Sequence, residues 1–317
     1  MRVLITGASG YLGRALVRRL NNDPLIERLC VLSRDEHKIH ALASEFESCY
    51  ALRTFVGCVR DAGRMRTAMQ GVDAVIHAAA LKRIDAVINE SIELDKTNVQ
   101  GTVNVLNAAL ESGVRKVLFV SSDKAAMPCN AYGASKMMAE CHAIGFNAYS
   151  LPRGMAVSAV RYGNVSKSTG SVFHIWSQHK AKGEKFPLTD YRMTRFHITI
   201  EQAVEFCISS LHRMVGGEIF VPDLPAYRLT DLAKAMDGET VTTGLRPGGE
   251  KLAEVMLSLE EPSRTLWQRD RFIITPAHRS WSASPYTGTA VTQDPHLSSD
   301  WPDRWLTVAQ LKKEFAL

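Results

Sequence analysis

A chain of 317 residues, 45% hydrophobic and 22% charged, is long enough for one large domain or two unequal ones around a substantial core. Its net charge of +5 suits an anionic small molecule, and the lack of a basic run or an aromatic-interleaved basic stripe excludes nucleic acid as a partner. The six cysteines (Cys30, Cys49, Cys58, Cys129, Cys141, Cys207) form no C-x-x-C pair and no regular framework, which excludes a metal site and a disulfide scaffold and fits free thiols in a reducing compartment.

The sequence opens directly on Met1-Arg2-Val3-Leu4-Ile5 with no charged-then-apolar leader, and no apolar stretch approaches the roughly 18 residues that span a bilayer. A cytoplasmic protein without a membrane partner is expected. The first half alternates short apolar runs with amphipathic stretches, the pattern of parallel strands joined by crossover helices. Strands are predicted at Val3 to Thr6, Arg28 to Leu32, Leu52 to Val56, Ala74 to His77, Lys116 to Ser121 and Ala156 to Tyr162, with helices such as Gly13 to Leu20, Val99 to Glu111 and Ser135 to Ala143 between them. This is an α/β chain with a doubly wound parallel sheet. Residues 1–165 are read as a dinucleotide-binding Rossmann domain, to which a segment near 195–225 returns, and 166–317 mainly as a smaller α/β substrate-binding domain. Glycines and prolines punctuate that second part, and 276–302 reads as loop or extended tail.

Gly7-Ala8-Ser9-Gly10-Tyr11-Leu12-Gly13 follows the first strand and opens the first helix, so its amides can face a pyrophosphate at the helix N-terminus. The second strand runs into Ser33-Arg34-Asp35, where the residue that reads the adenosine ribose belongs. A lone acid there points to NAD. Ser33 and Arg34 supply a hydroxyl and a guanidinium that suit a 2′-phosphate, so NADP is favoured over NAD. Val59 and Asp61 lie where the loop after the third strand could meet the adenine. Ala78, Ala79 and Ala80 end the fourth strand with small side chains and leave room for the cofactor.

Tyr132 and Lys136 stand four residues apart, on one face of a helix. A phenol is a poor base at neutral pH, but beside Lys136 and a positive nicotinamide ring its ionised form is stabilised and its pKa is expected to fall. Ten residues upstream of Tyr132, Ser122-Asp123-Lys124 ends a predicted strand.

These residues resemble the extended short-chain dehydrogenase/reductases and, within them, the UDP-N-acetylglucosamine 4,6-dehydratases that invert C5. The resemblance runs to about residue 275. It rests on Ser33-Arg34-Asp35-Glu36, His77-Ala78-Ala79-Ala80-Leu81-Lys82, Lys96-Thr97-Asn98-Val99, Ser122-Asp123-Lys124-Ala125, Asn130-Ala131-Tyr132-Gly133-Ala134-Ser135-Lys136, Arg161-Tyr162-Gly163-Asn164-Val165, Met193-Thr194-Arg195-Phe196 and Gly217-Glu218-Ile219-Phe220-Val221-Pro222.

The resemblance implies that Tyr132 takes the O4 proton while NADP takes the C4 hydride. Lys124 then removes the acidified C5 proton, Asp123 protonates the leaving 6-hydroxyl, hydride returns to C6, and Lys124 delivers a proton to C5. Ser122 would hold the 4-hydroxyl near Tyr132. Retaining 4,6-dehydratases commonly carry Asp-Glu where this chain has Asp123-Lys124, and 4-epimerases need neither group.

Arg195, Arg246 and Lys251 are the implied forks for a nucleotide diphosphate. Lys82, Asn98, Asn164 and Ser171 are implied sugar and phosphate contacts, with Val172, Thr189 and Met193 beside them; Lys82 also counts toward the cofactor site. Asn98 equally suits a structural link to the sheet backbone. The loop Arg246-Pro247-Gly248-Gly249-Glu250-Lys251-Leu252 carries one glycine more than the family pattern, Ala253 replaces a frequent histidine, and His197 a common tryptophan. The expected substrate is a UDP-sugar, the expected assembly a homodimer or higher homo-oligomer. The alternatives are a 4-epimerase, C5-epimerase or reductase on a nucleotide sugar, and a non-catalytic dinucleotide sensor.

Overall fold

The apolar runs of the first half, except the edge run at 52–56, are buried on both faces, as a sheet covered by helices requires. In the computed structural model, which describes residues 1–46, 51–82, 89–244, 248–278, 281, 286–291 and 297–316, these runs form strands β1 (Arg2–Thr6), β2 (Arg28–Ser33), β3 (Leu52–Val56), β4 (Ala74–His77), β5 (Lys116–Val120) and β6 (Ala156–Val160). The short strands β7 (Phe186–Leu188) and β8 (Thr194–Phe196) follow, then β9 (Ile219–Pro222), β10 (Ala226–Arg228), β11 (Thr240–Thr242), β12 (Thr265–Gln268), β13 (Arg271–Ile274) and β14 (Thr289–Ala290).

Ten of these strands make one sheet in the order β14-β12-β13-β9-β6-β5-β4-β1-β2-β3. It is parallel from β3 to β9, and β13, β12 and β14 add antiparallel at the other edge. The order reverses at β1, which pairs with β2 on one side and β4 on the other, so the crevice for a dinucleotide opens at the carboxyl ends of β1 and β4.

The sequence-predicted second domain therefore gives more of itself to the sheet than the segment near 195–225. β12, β13 and β14, from 265–290, extend the sheet beyond β9. What remains separate is a lobe of two small sheets, β8 with β10 and β7 with β11. Its own apolar core includes Trp176, Phe186, Leu188, Met193, Leu232 and Phe315.

Helices α1 (Tyr11–Asn21), α2 (Glu36–Ser44), α3 (Ala62–Ala68), α4 (Ser91–Leu94), α5 (Gly101–Glu111), α6 (Ala131–Gly145) and α7 (Asn147–Ser150) belong to the first half. The second half supplies α8 (Val172–Ala181), α9 (Ile200–Arg213), α10 (Leu229–Ala235) and α11 (Val308–Glu314). Alternation along β1 sorts the two faces: Val3 and Ile5 pack with Leu16 and Leu20 of α1 and Cys207 and Leu211 of α9, while Leu4 packs in the cluster of Met65, Val105 and Ala139 from α3, α5 and α6. Among the described residues no helix is long and apolar enough to cross a membrane.

A buried ionic knot fixes α6 to the chain beyond the lobe. Arg161, just past β6, binds Glu140 of α6 (Nη2 to Oε1, 2.5 Å) and Glu261 (Nη1 to Oε2, 2.8 Å), and donates to the Met256 carbonyl. Only 3% of Arg161 is exposed, so each charge here depends on the others. Removing the guanidinium strands two buried carboxylates. Arg161→Met is expected to destabilise the fold by about 3–5 kcal/mol, read as a lower urea midpoint in equilibrium unfolding.

Candidate active site

The turn from β1 into α1 is shaped by glycines that nothing larger can replace. Gly7 has φ +72°, and a Cβ on it would lie 2.7 Å from the Ala79 nitrogen; a Cβ on Gly13 would lie 2.3 Å from the Gly7 carbonyl oxygen. Gly10 caps α1 with no side-chain hydrogen bond, and the first turn carries no acid, so the N-terminal amides keep their affinity for an anion. Ser9 bonds Ser33 (Oγ to Oγ, 2.6 Å) and joins the glycine turn to the end of β2. Asp35 is committed elsewhere: its carboxylate caps α2 by accepting from the Lys38 amide and pairs with the Lys38 ammonium at 2.9 Å. Arg34 is exposed and makes no ion pair among the described residues. Asp61 likewise caps α3, and Val59 is buried against Gly101. Tyr11 donates its hydroxyl to the Ser166 carbonyl, and Leu12 packs on the core behind the turn.

Behind the switch point a chain of hydroxyls fixes His77. Thr102 donates to the Asn98 carbonyl, so it accepts from His77 Nε2, and His77 Nδ1 accepts from Thr6. Burial holds this imidazole down at about 3, aided by the charge of Lys136, so it stays neutral. Asn98 lies in a π-helical turn over Asp95–Gln100 that precedes α5, where a regular helix was expected to begin at Val99. Its amide is fully used: Oδ1 accepts from the Leu81 amide, and Nδ2 donates to the Leu81 carbonyl and to Ser135 Oγ. The structure thus gives Asn98 the linking role, clamping the loop after β4 to α6, rather than the expected sugar contact.

The reacting residues converge at the carboxyl end of β5. Lys124 directs its ammonium to three acceptors, one for each N–H: Asp123 Oδ1 at 3.0 Å, Asn164 Oδ1 at 3.0 Å and Glu254 Oε1 at 3.2 Å. Burial alone would lower the Lys124 pKa, but the two carboxylates outweigh it and hold it above the ordinary lysine value. Asp123 is 1% exposed and accepts from Ser122 Oγ at 2.8 Å, while its Oδ2 has no hydrogen-bond partner among the described residues. Burial, helped by the charge of Glu254, pushes its carboxyl above the usual range against the pull of Lys124. Tyr132, half-buried, is also raised by burial, with Lys124 and the neighbouring Ser122 hydroxyl working the other way.

Lys136 is engaged with the backbone behind Tyr132's helix. It donates to the Val120 carbonyl at 2.7 Å and sits 4.1 Å over the Phe119 ring, and burial brings its pKa to about 7. The cation that acts on Tyr132 is Lys124.

Around this centre the expected diphosphate forks are turned inward. Arg195 is 5% exposed and saturated by Glu250 Oε1 (3.2 Å) and the carbonyls of Thr194 and Leu252. Lys251 donates to the Ala126 carbonyl at 2.7 Å and holds the turn that carries Asp123 and Lys124. Thr189 bonds Glu250 Oε2, Met193 is wholly buried in the lobe, and Ser171 caps α8 at Val172 by accepting from the His174 amide. Lys82 is exposed beside the site, its pKa lowered by surrounding protein and by the charge of Lys124. Arg246 lies outside the described residues.

Two features were not anticipated. Glu254 is buried beside Lys124, hidden in the sequence because nothing in its spacing ties it to a residue 130 positions away. The additional glycine has a steric reason: Gly249, φ +88°, passes so close to the catalytic segment that a Cβ would meet the Cys129 carbonyl oxygen at 2.9 Å, and its own carbonyl accepts from Asn130.

A parallel sheet reversing at β1, a glycine-lined helix N-terminus at the switch point, and Tyr132 and Lys136 on a helix facing Ser122 define an extended short-chain dehydrogenase/reductase. Within that class the chain belongs to the family described as polysaccharide biosynthesis protein, whose pattern matches residues 3–276. It is 38% identical over 278 residues to a UDP-N-acetylglucosamine 4,6-dehydratase (inverting) of Campylobacter jejuni, covering 87% of this chain and 83% of that protein. It is 34% identical over 293 residues to a UDP-glucose 4-epimerase of Rickettsia massiliae, covering 90% and 85%. The crystal structure of Pen from Bacillus thuringiensis superposes with a TM-score of 0.89 at 29% identity over 98% of this chain and 96% of that one.

Because the Gly13 position has no room for a methyl group, Gly13→Ala is expected to push α1 off the turn. Dinucleotide affinity should fall at least about tenfold, measured by titrating the fluorescence of the reduced cofactor.

Proposed function

We propose that the protein is a nucleotide-sugar 4,6-dehydratase that acts on UDP-N-acetylglucosamine and inverts C5. The observation that carries this reading is the Asp123–Lys124 pair, an acid and a base sharing one hydrogen bond beside Tyr132. A 4-epimerase, the activity named for the Rickettsia relative, has no step for such a pair to perform, and a dinucleotide sensor has no use for it either.

The glycine turn and the free end of α1 fit a dinucleotide pyrophosphate. Bound there, the dinucleotide supplies a hydride acceptor for C4 and a hydride donor for C6. The remaining work is proton transfer by the chain. Tyr132 takes the O4 proton, favoured by the neighbouring ammonium of Lys124 and by Ser122. Lys124 rests as an ammonium with all three protons engaged, so it becomes a base only by passing one on. Asp123, biased toward the neutral acid by burial, accepts it over the 3.0 Å hydrogen bond. One proton shift then prepares both groups: the amine removes the C5 proton, and the carboxylic acid protonates the 6-hydroxyl, which leaves as water. Lys124, again an ammonium, protonates C5 after hydride has reached C6; inversion follows because the planar intermediate turns its other face to the ammonium between the two steps.

Arg34 and Ser33 support NADP as the dinucleotide, since the carboxylate of Asp35 that would favour NAD is spent on the α2 cap. A cytoplasmic setting is consistent with the five described cysteines all being free. Exposed Met137, Met138 and Tyr149 on and beside α6, with Ile92 on α4, support a homodimer or higher homo-oligomer through that side.

In deuterated water the enzyme should convert UDP-N-acetylglucosamine to a product lighter by one water, with inverted C5 carrying deuterium. Product of unchanged mass would identify an epimerase. Lys124→Ala should form no dehydrated product and exchange no C5 hydrogen with solvent. Arg34→Ala is expected to weaken NADP by about 10- to 100-fold while NAD affinity changes little, read from paired binding titrations.

A further inference from the structure

We propose that Glu254 is a positioning residue of the proton-transfer pair: its buried carboxylate holds the Lys124 ammonium in register with Asp123 and keeps one mobile proton on that pair. The inference rests on the dehydratase reading and adds a residue to it. Glu254 is 3% exposed, and its Oε2 has no hydrogen-bond partner among the described residues. A buried carboxylate oxygen with no hydrogen bond, facing only the Lys251 ammonium at 3.7 Å, is unfavourable, and it is retained where its charge is needed.

The backbone of Glu254 is immobilised for this purpose. Its amide donates to Ser299 Oγ, its carbonyl accepts from the Ser299 amide, and the same Ser299 hydroxyl bonds Thr194 at the start of β8. From this anchor the side chain meets Lys124 at 3.2 Å, Lys251 at 3.7 Å and Arg195 at 3.8 Å. The groups facing Lys124 are Asp123 on its own turn, Tyr132 from α6, Asn164 beyond β6, Arg195 from β8, Lys82 beyond β4 and Glu254.

Two carboxylates touch the same ammonium, and their surroundings separate their roles. Burial drives Asp123 toward the protonated form. Burial acts on Glu254 in the same sense, but Lys124, Arg195 and Lys251 together hold it below the usual carboxylate range. The proton leaving Lys124 therefore goes to Asp123, and Glu254 stays an anion throughout the cycle.

The sign of the pH effect follows. The charge of Glu254 raises the pKa values of Lys124, Asp123 and Tyr132. Acid activity is limited by protonation of Tyr132 or by a second proton on the pair, and alkaline activity by loss of the mobile proton. Removing the charge moves every one of these transitions to lower pH.

The test is the pH dependence of kcat for UDP-N-acetylglucosamine dehydration by the NADP-loaded enzyme, from about pH 5 to about pH 10. Glu254→Gln, equal in shape, is expected to move both limbs down by at least about one unit while KM changes less than about threefold. Glu254→Asp, which keeps the charge but withdraws it, is expected to shift them the same way by less, and it carries the test if the Gln variant does not fold. Profiles that overlay the wild type, or a rise in KM with unmoved limbs, would overturn the role. A wild-type enzyme that releases water while the variant profiles stay put sinks this inference alone; a wild-type enzyme that releases none sinks the dehydratase reading itself.

Discussion

An ammonium ringed by acceptors, two of them buried carboxylates, is the interaction on which this site depends. Lys124 lies between Asp123 and Glu254, and neither the cation nor the acids would remain charged at that depth alone. The charges come from distant parts of the chain: Asp123 and Lys124 from the end of β5, Arg195 from β8, and Lys251 and Glu254 from the segment after the lobe. Packing of the second half against the sheet brings Arg195, Lys251 and Glu254 around the Asp123–Lys124 pair.

The segment 248–254 does this mechanically as well as electrostatically. Gly249 lies against Cys129, Lys251 binds the carbonyls of the catalytic turn, and Glu254 reaches the ammonium. A similar economy governs the other side, where Asn98 links the loop after β4 to α6 and His77 is locked neutral between two threonines. Tyr132 and Lys136 therefore sit on a helix held at its N-terminal end by Asn98 and Asn130 and near its C-terminal end by the Arg161 knot.

Much of the fold is legible in the sequence because its causes are local. Two-residue and helical periodicities, glycines where a turn needs positive φ, and caps such as Asp61 and Asn130 act within a few positions of themselves. The catalytic set is legible for the same reason, since Tyr132 and Lys136 share a helix turn and Asp123 and Lys124 are neighbours. The partners of Arg195 and Lys251 are not legible in the sequence because a cation's partner depends on which acid lies nearest in space. Glu250, Glu254 and four backbone carbonyls claim them here. The return of β12, β13 and β14 to the sheet is hidden too, since a short apolar run does not say which edge it will join.

By itself, then, the sequence determined the dinucleotide fold, the glycine turn that opens α1, and the clustering of Asp123, Lys124 and Tyr132 for which the chemistry is proposed. Only the tertiary structure decided how those groups are charged. It placed Glu254 beside Lys124, engaged Lys136 with the Val120 carbonyl, and raised the Asp123 carboxyl by burial. The physical reason is that ionisation depends on burial and on charges within a few ångströms, and neither is a property of position along the chain.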